Sequence, residues 1–137
     1  MRILLLICVV ITISGCYDIS YSDIGEIDAV RAIIGEAEAE GYEGMHAVAH
    51  ALKNRNTLRG VYGHKAVNEE FKRGDRVISG KIIQKAMKAW YDAKNGHDVT
   101  NGANHWHNVG REGETYWTRV YQKTATIGNH VFYKGNV

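Results

Sequence analysis

Cysteine and long apolar runs are scarce in this 137-residue chain, and proline is absent. The two cysteines, Cys8 and Cys16, lie in and directly after a short apolar segment near the N-terminus. If that segment serves export, the folded part contains no thiol. This excludes a disulfide framework, a thiolate metal site and a cysteine nucleophile. The absence of proline carries no functional indication.

Charge of one sign is also scarce. The formal net charge is +2, and no long run of like charges occurs along the chain. Domains that bind nucleic acids concentrate lysine and arginine on one face or stripe, so we expect no nucleic-acid partner here. The length after the N-terminal segment allows one domain with its own core, and nothing in it demands more than a monomer.

The first residues of the chain have the features of an export signal. Met1 and Arg2 give a positive start, and residues 3–13 form an apolar run broken only by Thr12. This run is well short of the roughly 20 residues that a membrane-spanning helix needs. Small residues follow it, as they do before the cleavage point of a signal peptide.

Residues 13–16, Ile-Ser-Gly-Cys, resemble a bacterial lipobox, in which the cysteine becomes the lipidated first residue of the mature protein. We therefore predict a lipoprotein-type signal peptide over residues 1–15 and a lipid-anchored spacer over 16–23. The catalytic domain would occupy 24–137, exported and lipid-anchored at Cys16 to a membrane on its periplasmic or extracellular face. An ordinary signal peptide with a chance cysteine, or an uncleaved anchor, is the alternative.

Helical spacing dominates the first two thirds of the chain. Asp23 and Glu26 form the pattern of a capping box, and apolar residues that would face a core follow it at helical spacing: Ile27, Val30, Ile34 and Ala37. A second helix is predicted over about 43–55 and a third over about 79–96. The segment 56–78 is rich in glycine and charge and predicts irregular structure.

The last third has a different character. Glycine, asparagine, histidine and aromatic residues replace the helix formers, and short β segments are predicted at about 103–108, 116–121 and 126–134. Together the two parts predict one α+β domain, mainly helical, with a small sheet or hairpin in the C-terminal third.

Three glutamates, Glu36, Glu38 and Glu40, lie at the end of the first predicted helix. On a helix, Glu36 and Glu40 would share one face, and two carboxylates so close in a dry site favour a proton remaining on one of them. Glycosidic cleavage needs such an acid to protonate the departing oxygen. Three solvated glutamates are the alternative, but Glu36 stands among apolar residues and is expected to be half buried.

Histidines provide a rival set of candidates. His46 and His50 are spaced for one face of a helix, His105 and His107 alternate on a predicted strand, and His130 lies on another. Three histidines could hold a zinc ion in a peptidoglycan amidase or peptidase. However, the HExxH signature is absent and no acidic residue is spaced as a further ligand. We therefore expect neither a metal nor another cofactor, and zinc remains the alternative.

Aromatic and imidazole side chains gather after residue 100, where His105, Trp106, Tyr116 and Trp117 are candidates for binding sugar rings. Flat aromatic faces with hydrogen-bonding groups nearby are typical of ligand grooves. A small aromatic core that closes the sheet is the alternative interpretation of the same residues.

Three ordered blocks within residues 31–134 resemble the cell-wall hydrolase family typified by spore-cortex-lytic enzymes. The first block is Gly-Glu-Ala-Glu-Ala-Glu-Gly-Tyr-Glu-Gly at 35–44, followed by Ala-Val-Ala at 47–49 and Asn-Arg at 54–55. The second is Asn-Gly-Ala-Asn-His-Trp at 101–106, with Tyr-Trp at 116–117 after it. The third is Ile-Gly-Asn-His-Val-Phe-Tyr at 127–133.

The resemblance implies a fold similar to lysozyme and the lytic transglycosylases. It implies that Glu36 is the catalytic acid, with Glu40 as the family's second glutamate, and it adds His130 and Tyr133 to the substrate-binding candidates. The implied substrate is the peptidoglycan glycan strand, cut between N-acetylmuramic acid and N-acetylglucosamine by a lytic transglycosylase or muramidase. A zinc-dependent amidase or peptidase, and a non-catalytic wall-binding lipoprotein, are the alternative functions.

Overall fold

The computed structural model describes residues 23–74 and 76–137. Its elements, in chain order, are α1 Glu26–Ala37, a 3-10 turn Glu38–Glu40, α2 Gly41–Arg55, α3 Tyr62–Arg73, α4 Gly80–Asn95, β1 His105–His107, α5 Val109–Glu112, α6 Tyr116–Val120, β2 Gln122–Ile127 and β3 His130–Lys134. No helix of this described part is long and apolar enough to cross a membrane. The predicted signal peptide and Cys16 lie outside the described residues.

Helices α1 to α4 form the larger layer of the domain. Helix α1 packs against α2, α3 and α4, and α2 packs along α4. The faces that meet consist largely of fully buried alanines: Ala29, Ala32, Ala47, Ala49, Ala51, Ala86, Ala89 and Ala93. Larger side chains such as Ile33, Met45 and Leu52 fill the space between them, so apolar burial holds the layer together.

A three-stranded antiparallel sheet in the order β1-β3-β2 forms the smaller layer. In the register of this sheet, Phe132 pairs with Trp106 on one side and with Ala125 on the other. Phe132 is fully buried and belongs to the same core as the helices. The central strand therefore joins the sheet to the helical layer, and the predicted α+β class with a small C-terminal sheet is confirmed.

The first predicted helix is correct in position but wrong in detail. Its N-cap is Gly25, with no capping side chain, so the predicted capping box of Asp23 and Glu26 is wrong. Ile27 is 69% exposed instead of facing the core. The helix ends at Ala37, and after the 3-10 turn Gly41 adopts a positive φ of 67°, a conformation that suits glycine.

Two further segments differ from their predictions. The segment 56–78 contains α3, which was missed because only Gly63 and Val67 of that helix are buried and its apolar pattern is correspondingly weak. The segment 116–121 contains α6 instead of a strand. The Thr118 hydroxyl accepts from the Thr115 N–H at 3.1 Å and donates to the Thr115 carbonyl oxygen at 2.7 Å, and this local arrangement overrides the strand tendency of the aromatic and β-branched residues.

Candidate active site

Glu36 lies on the last turn of α1 and is half buried, as its apolar neighbours predicted. The backbone N–H of Gly63 donates to its Oε1 at 2.6 Å. The indole Nε1–H of Trp106 donates to its Oε2 at 3.1 Å. Two donors from different parts of the chain therefore hold the carboxyl group in one orientation.

The contact between α1 and α3 depends on two glycines. A Cβ on Gly35 would lie 2.1 Å from the carbonyl oxygen of Gly63, and a Cβ on Gly63 would lie 2.5 Å from the carbonyl carbon of Gly35. Because neither residue has a side chain, the first turn of α3 reaches the end of α1. The Gly63 N–H belongs to the helix start, where amides have no intrahelical acceptor, and it is free to bind Glu36.

A cleft with a volume of about 470 Å³ opens beside Glu36. Much of its wall consists of aromatic and imidazole rings: His105, Trp106, His107, Trp117, Tyr121 and His130. Trp117 joins several of these rings, with centroid separations of 5.3 to 5.8 Å from His105, His107 and Tyr121. The wall is thus a packed set of flat faces with imidazole nitrogens between them, which suits a sugar chain.

The predicted substrate-binding residues are divided by the fold. His105, Trp106, Trp117 and His130 line the cleft. Tyr116 and Tyr133 do not appear in its lining. Tyr116 is 75% exposed on α6, whereas Tyr133 is buried and packs edge-on against Trp117. Tyr133 therefore supports the wall from behind.

Arg55 is a cleft residue that the sequence interpretation did not include. It ends α2, and its guanidinium donates to the carbonyl oxygens of Asn104 at 3.3 Å and Arg59 at 2.6 Å. Burial lowers the pKa of Arg55, but arginine remains charged in proteins. Its position within the Asn-Arg pair of the first resemblance block was the only available signal.

The loop before β1 is fixed to the end of α2. Asn54 Nδ2 donates to Asp98 Oδ2 and to the carbonyl oxygen of Ala103, both at 2.8 Å. Burial acts to raise the pKa of Asp98, but hydrogen bonds from Thr100, Asn54 and Gly102 outweigh it and lower that pKa to about 2. These contacts place β1, and with it Trp106, opposite Glu36.

Glu40 is not on the same helical face as Glu36, and that expectation was wrong because α1 ends at Ala37. Glu40 Oε2 accepts a hydrogen bond from the Asn129 N–H at 3.1 Å. Its Oε1 lies 2.7 Å from Nδ1 of His130, and the two side chains are only 6% and 4% exposed. The 3-10 turn thus sends Glu40 beneath the β2–β3 hairpin, where it holds a histidine that lines the cleft.

The remaining histidine pair lies elsewhere. Nε2 of His46 is 3.1 Å from Nε2 of His50, and neither residue lines the cleft. Burial lowers the pKa of both. In residues 23–74 and 76–137, no group of three or more His, Cys, Asp or Glu side chains is arranged to hold a metal ion. The three-histidine site of the zinc alternative is therefore not formed by these residues.

Comparison with known proteins gives a consistent set of matches. The sequence profile of a family described as Cell Wall Hydrolase matches residues 39–133. The catalytic domain of the germination-specific lytic transglycosylase SleB from Bacillus anthracis is 28% identical, with a TM-score of 0.60 over 84% of this chain and 98% of that chain. The catalytic domain of the Bacillus cereus SleB protein is 28% identical, with a TM-score of 0.57 over 80% and 89%. A comparison with curated proteins finds no match.

Proposed function

The chain belongs to the cell wall hydrolase family, and we propose that it cleaves the glycan strands of peptidoglycan with Glu36 as the acid. The scissile bond is the β-1,4 link between N-acetylmuramic acid and N-acetylglucosamine. The observation that carries this proposal is the half-buried carboxyl group of Glu36, held by Gly63 and Trp106 in a cleft walled by aromatic rings. The similarity to two SleB catalytic domains, one of them named as a lytic transglycosylase, supports the same reaction.

One carboxyl group can serve both halves of this reaction. Glu36 donates its proton to the glycosidic oxygen, the bond from the muramic C1 to that oxygen breaks, and an oxocarbenium-like centre forms. The Glu36 carboxylate then accepts a proton from the muramic acid 6-hydroxyl as that hydroxyl attacks C1, or from water. Hydrogen bonds from Gly63 and Trp106 stabilise the carboxylate in the interval between the two proton transfers.

The other acidic groups near the cleft favour attack by a hydroxyl over attack by a carboxylate. Among the described residues that line the cleft, Glu112 is the other acidic side chain, and its Oε2 lies 2.8 Å from His107 Nδ1. Glu40 lies under the hairpin, engaged with Asn129 and His130. We therefore assign Glu40 as a positioning residue for His130, and we favour the transglycosylase reaction.

The location of the enzyme follows from its family at a coarse level. A cell wall hydrolase acts in the cell envelope or outside the cell. We further propose that a lipid on Cys16 holds a monomeric domain near a membrane, a proposal supported by the lipobox-like sequence at residues 13–16.

Mass analysis of the products tests the reaction. The full chain is incubated with purified peptidoglycan, and 1,6-anhydromuramic ends are expected. Reducing muramic ends would instead indicate attack by water. Free peptides without glycan cleavage would indicate the amidase alternative, and binding without any release would indicate a wall-binding protein; either result overturns the proposal.

A variant tests the residue. Glu36→Gln keeps the size of the side chain but removes its proton, so fragment release should fall by about 10²–10⁴-fold, the usual contribution of general acid–base catalysis. Glu43→Gln on the exposed start of α2 is the matched control and should remain active. Wild-type activity in Glu36→Gln would remove Glu36 from the mechanism.

A further inference from the structure

A second cleft also borders Glu36. Its volume is about 570 Å³, and Glu36 lines it as well as the first cleft. The end of α1, one side of α3 and the start of α4 contribute to its walls, and Arg111 of α5 contributes from the β-rich half. A glycan strand whose scissile bond lies at Glu36 would extend from one cleft into the other.

The two arginines of this second cleft differ in their partners. Arg76 pairs with Glu38 and also with Glu70, the latter at 3.3 Å. Arg111 is exposed, and within the described part of the chain its side chain forms no ion pair or hydrogen bond. Arg111 is therefore the cation of this cleft that remains available to an anionic ligand.

The position of α5 places this cation beside the substrate path. Asn108 and Glu112 of the same short segment line the first cleft, whereas Arg111 lines the second. The Asn108 side chain accepts from the Arg111 N–H at 3.1 Å, and Glu112 lies 2.8 Å from the buried His107. These contacts fix both ends of the α5 turn, so the Arg111 backbone is held at the boundary between the clefts.

We propose that Arg111 binds a carboxylate carried on the 3-position of a muramic acid residue in the second cleft. This inference rests on the proposed function, because that position of muramic acid carries a lactyl group. The carboxylate is the lactyl group's own in strands without peptides and a peptide carboxylate in strands that bear them. An arginine can hold either through paired N–H donors. The site would distinguish wall glycan from neutral glycans of the same backbone.

Three substrates test the proposal with the full chain. They are peptide-bearing strands, strands stripped to free lactyl carboxylates, and peptide-bearing strands whose carboxylates have been converted to neutral amides. Arg111→Gln should lower the initial rate at limiting substrate about fivefold to tenfold on whichever carboxylate source Arg111 binds, as expected for one exposed charge-assisted contact. On the amidated strands, wild type and variant should have nearly the same rate.

Two further variants provide the controls. Arg119→Gln removes another exposed arginine, which lies on α6 and lines neither cleft, and should change no rate appreciably. Arg111→Lys keeps the charge and should recover part of the rate, whereas a variant that only disturbs α5 would not recover it. Equal losses on all three substrates, or a loss no larger than that of Arg119→Gln, overturn the proposal.

Binding separates this inference from the proposed reaction. The full chain carrying Glu36→Gln is sedimented with each kind of strand, with and without the additional Arg111→Gln change. Weaker binding of the double variant to carboxylate-bearing strands alone supports the site, whatever products the wild type releases. Equal binding of the two variants overturns the site while leaving the reaction to be judged by its products.

Discussion

Glu36 and Glu40 stand four residues apart in the sequence and occupy opposite surroundings in the fold. Glu36 faces two clefts and accepts one hydrogen bond on each oxygen. The Glu40 side chain lies under a hairpin and is 6% exposed, beside a histidine side chain that is 4% exposed. One carboxyl group can reach a substrate, and the other is engaged with the protein itself.

The cause of the difference is the break between α1 and α2. A continuous helix would place both side chains on one face. The 3-10 turn and the positive φ of Gly41 redirect the chain instead. Glu40 therefore reaches residues 129 and 130 of the β2–β3 hairpin. Two glutamates close in sequence therefore have different surroundings; the first lines the clefts and the second contacts the β2–β3 hairpin.

Gly63→Ala should have the largest effect on stability and activity, because the new side chain would contact both Gly35 and Glu36. The new Cβ would lie 2.5 Å from the carbonyl carbon of Gly35 and 2.8 Å from Glu36 Oε1. Helices α1 and α3 must move apart, at a cost of about 3 kcal/mol, and fragment release should fall with them. Thermal melting and peptidoglycan digestion measure the two effects.

Gly80→Ala is the matched control for that change. A Cβ on Gly80, at the first position of α4, would meet nothing within 4 Å, so stability should stay the same or rise slightly. If Gly63→Ala behaved like Gly80→Ala, the close approach of α1 and α3 would not be what holds Glu36.

Glu40→Gln should lower stability more than catalysis, whereas Glu36→Gln should lower catalysis. The amide oxygen can still accept from Asn129, but the charge beside His130 is lost, and removing one member of a buried pair is costly. We expect a destabilisation of about 2 kcal/mol with catalysis reduced much less than in Glu36→Gln. Denaturant unfolding and initial rates compare the two variants, with exposed Glu43→Gln as reference. Loss of catalysis at full stability would instead assign Glu40 a direct chemical role.

Acidification should have the smallest effect on stability. It also sets the lowest pH at which the variants can be compared in the folded state. Burial lowers the pKa of His46 and His50 in the folded protein, so the unfolded chain binds more protons as pH falls below about 6.5. The contribution of the two histidines to the free energy of unfolding is complete above that pH and is lost as the pH falls below it.

Melting temperatures at pH 7.5 and 5.5 test the sign of this effect. The decrease on acidification should be smaller in His50→Gln than in the wild type, because the variant no longer carries this titrating group. An equal decrease in the two proteins would contradict a contribution from His50.

The predictable parts of the fold were those whose pattern is local. Helices α2 and α4 have buried apolar residues at helical spacing, and α4 begins close to residue 79, where the third helix was predicted to start. Helix α3 was not predictable in this way because Gly63 and Val67 are its only buried residues. Helix α6 carries strand-forming residues and was predicted as a strand for that reason.

Part of the candidate site was also predictable. The apolar neighbours of Glu36 indicated its partial burial. The resemblance blocks identified His105, Trp106 and Trp117, which line the cleft. Tyr121 had no distinguishing local signal and Arg55 had only its place in the first resemblance block, although both line the cleft. The exposed position of Tyr116 follows from α6 being a helix.

The sequence by itself determined the class of the domain, its principal helices, its family resemblance and the glutamate most suited to act as an acid. Only the tertiary structure decided that Glu40 contacts His130, that α3 supplies an amide to Glu36, and that Arg111 lines a second cleft. The physical reason is range. Periodicity and capping are encoded within a few turns of chain, whereas these contacts join residues from 27 to 90 positions apart, and only packing brings them together.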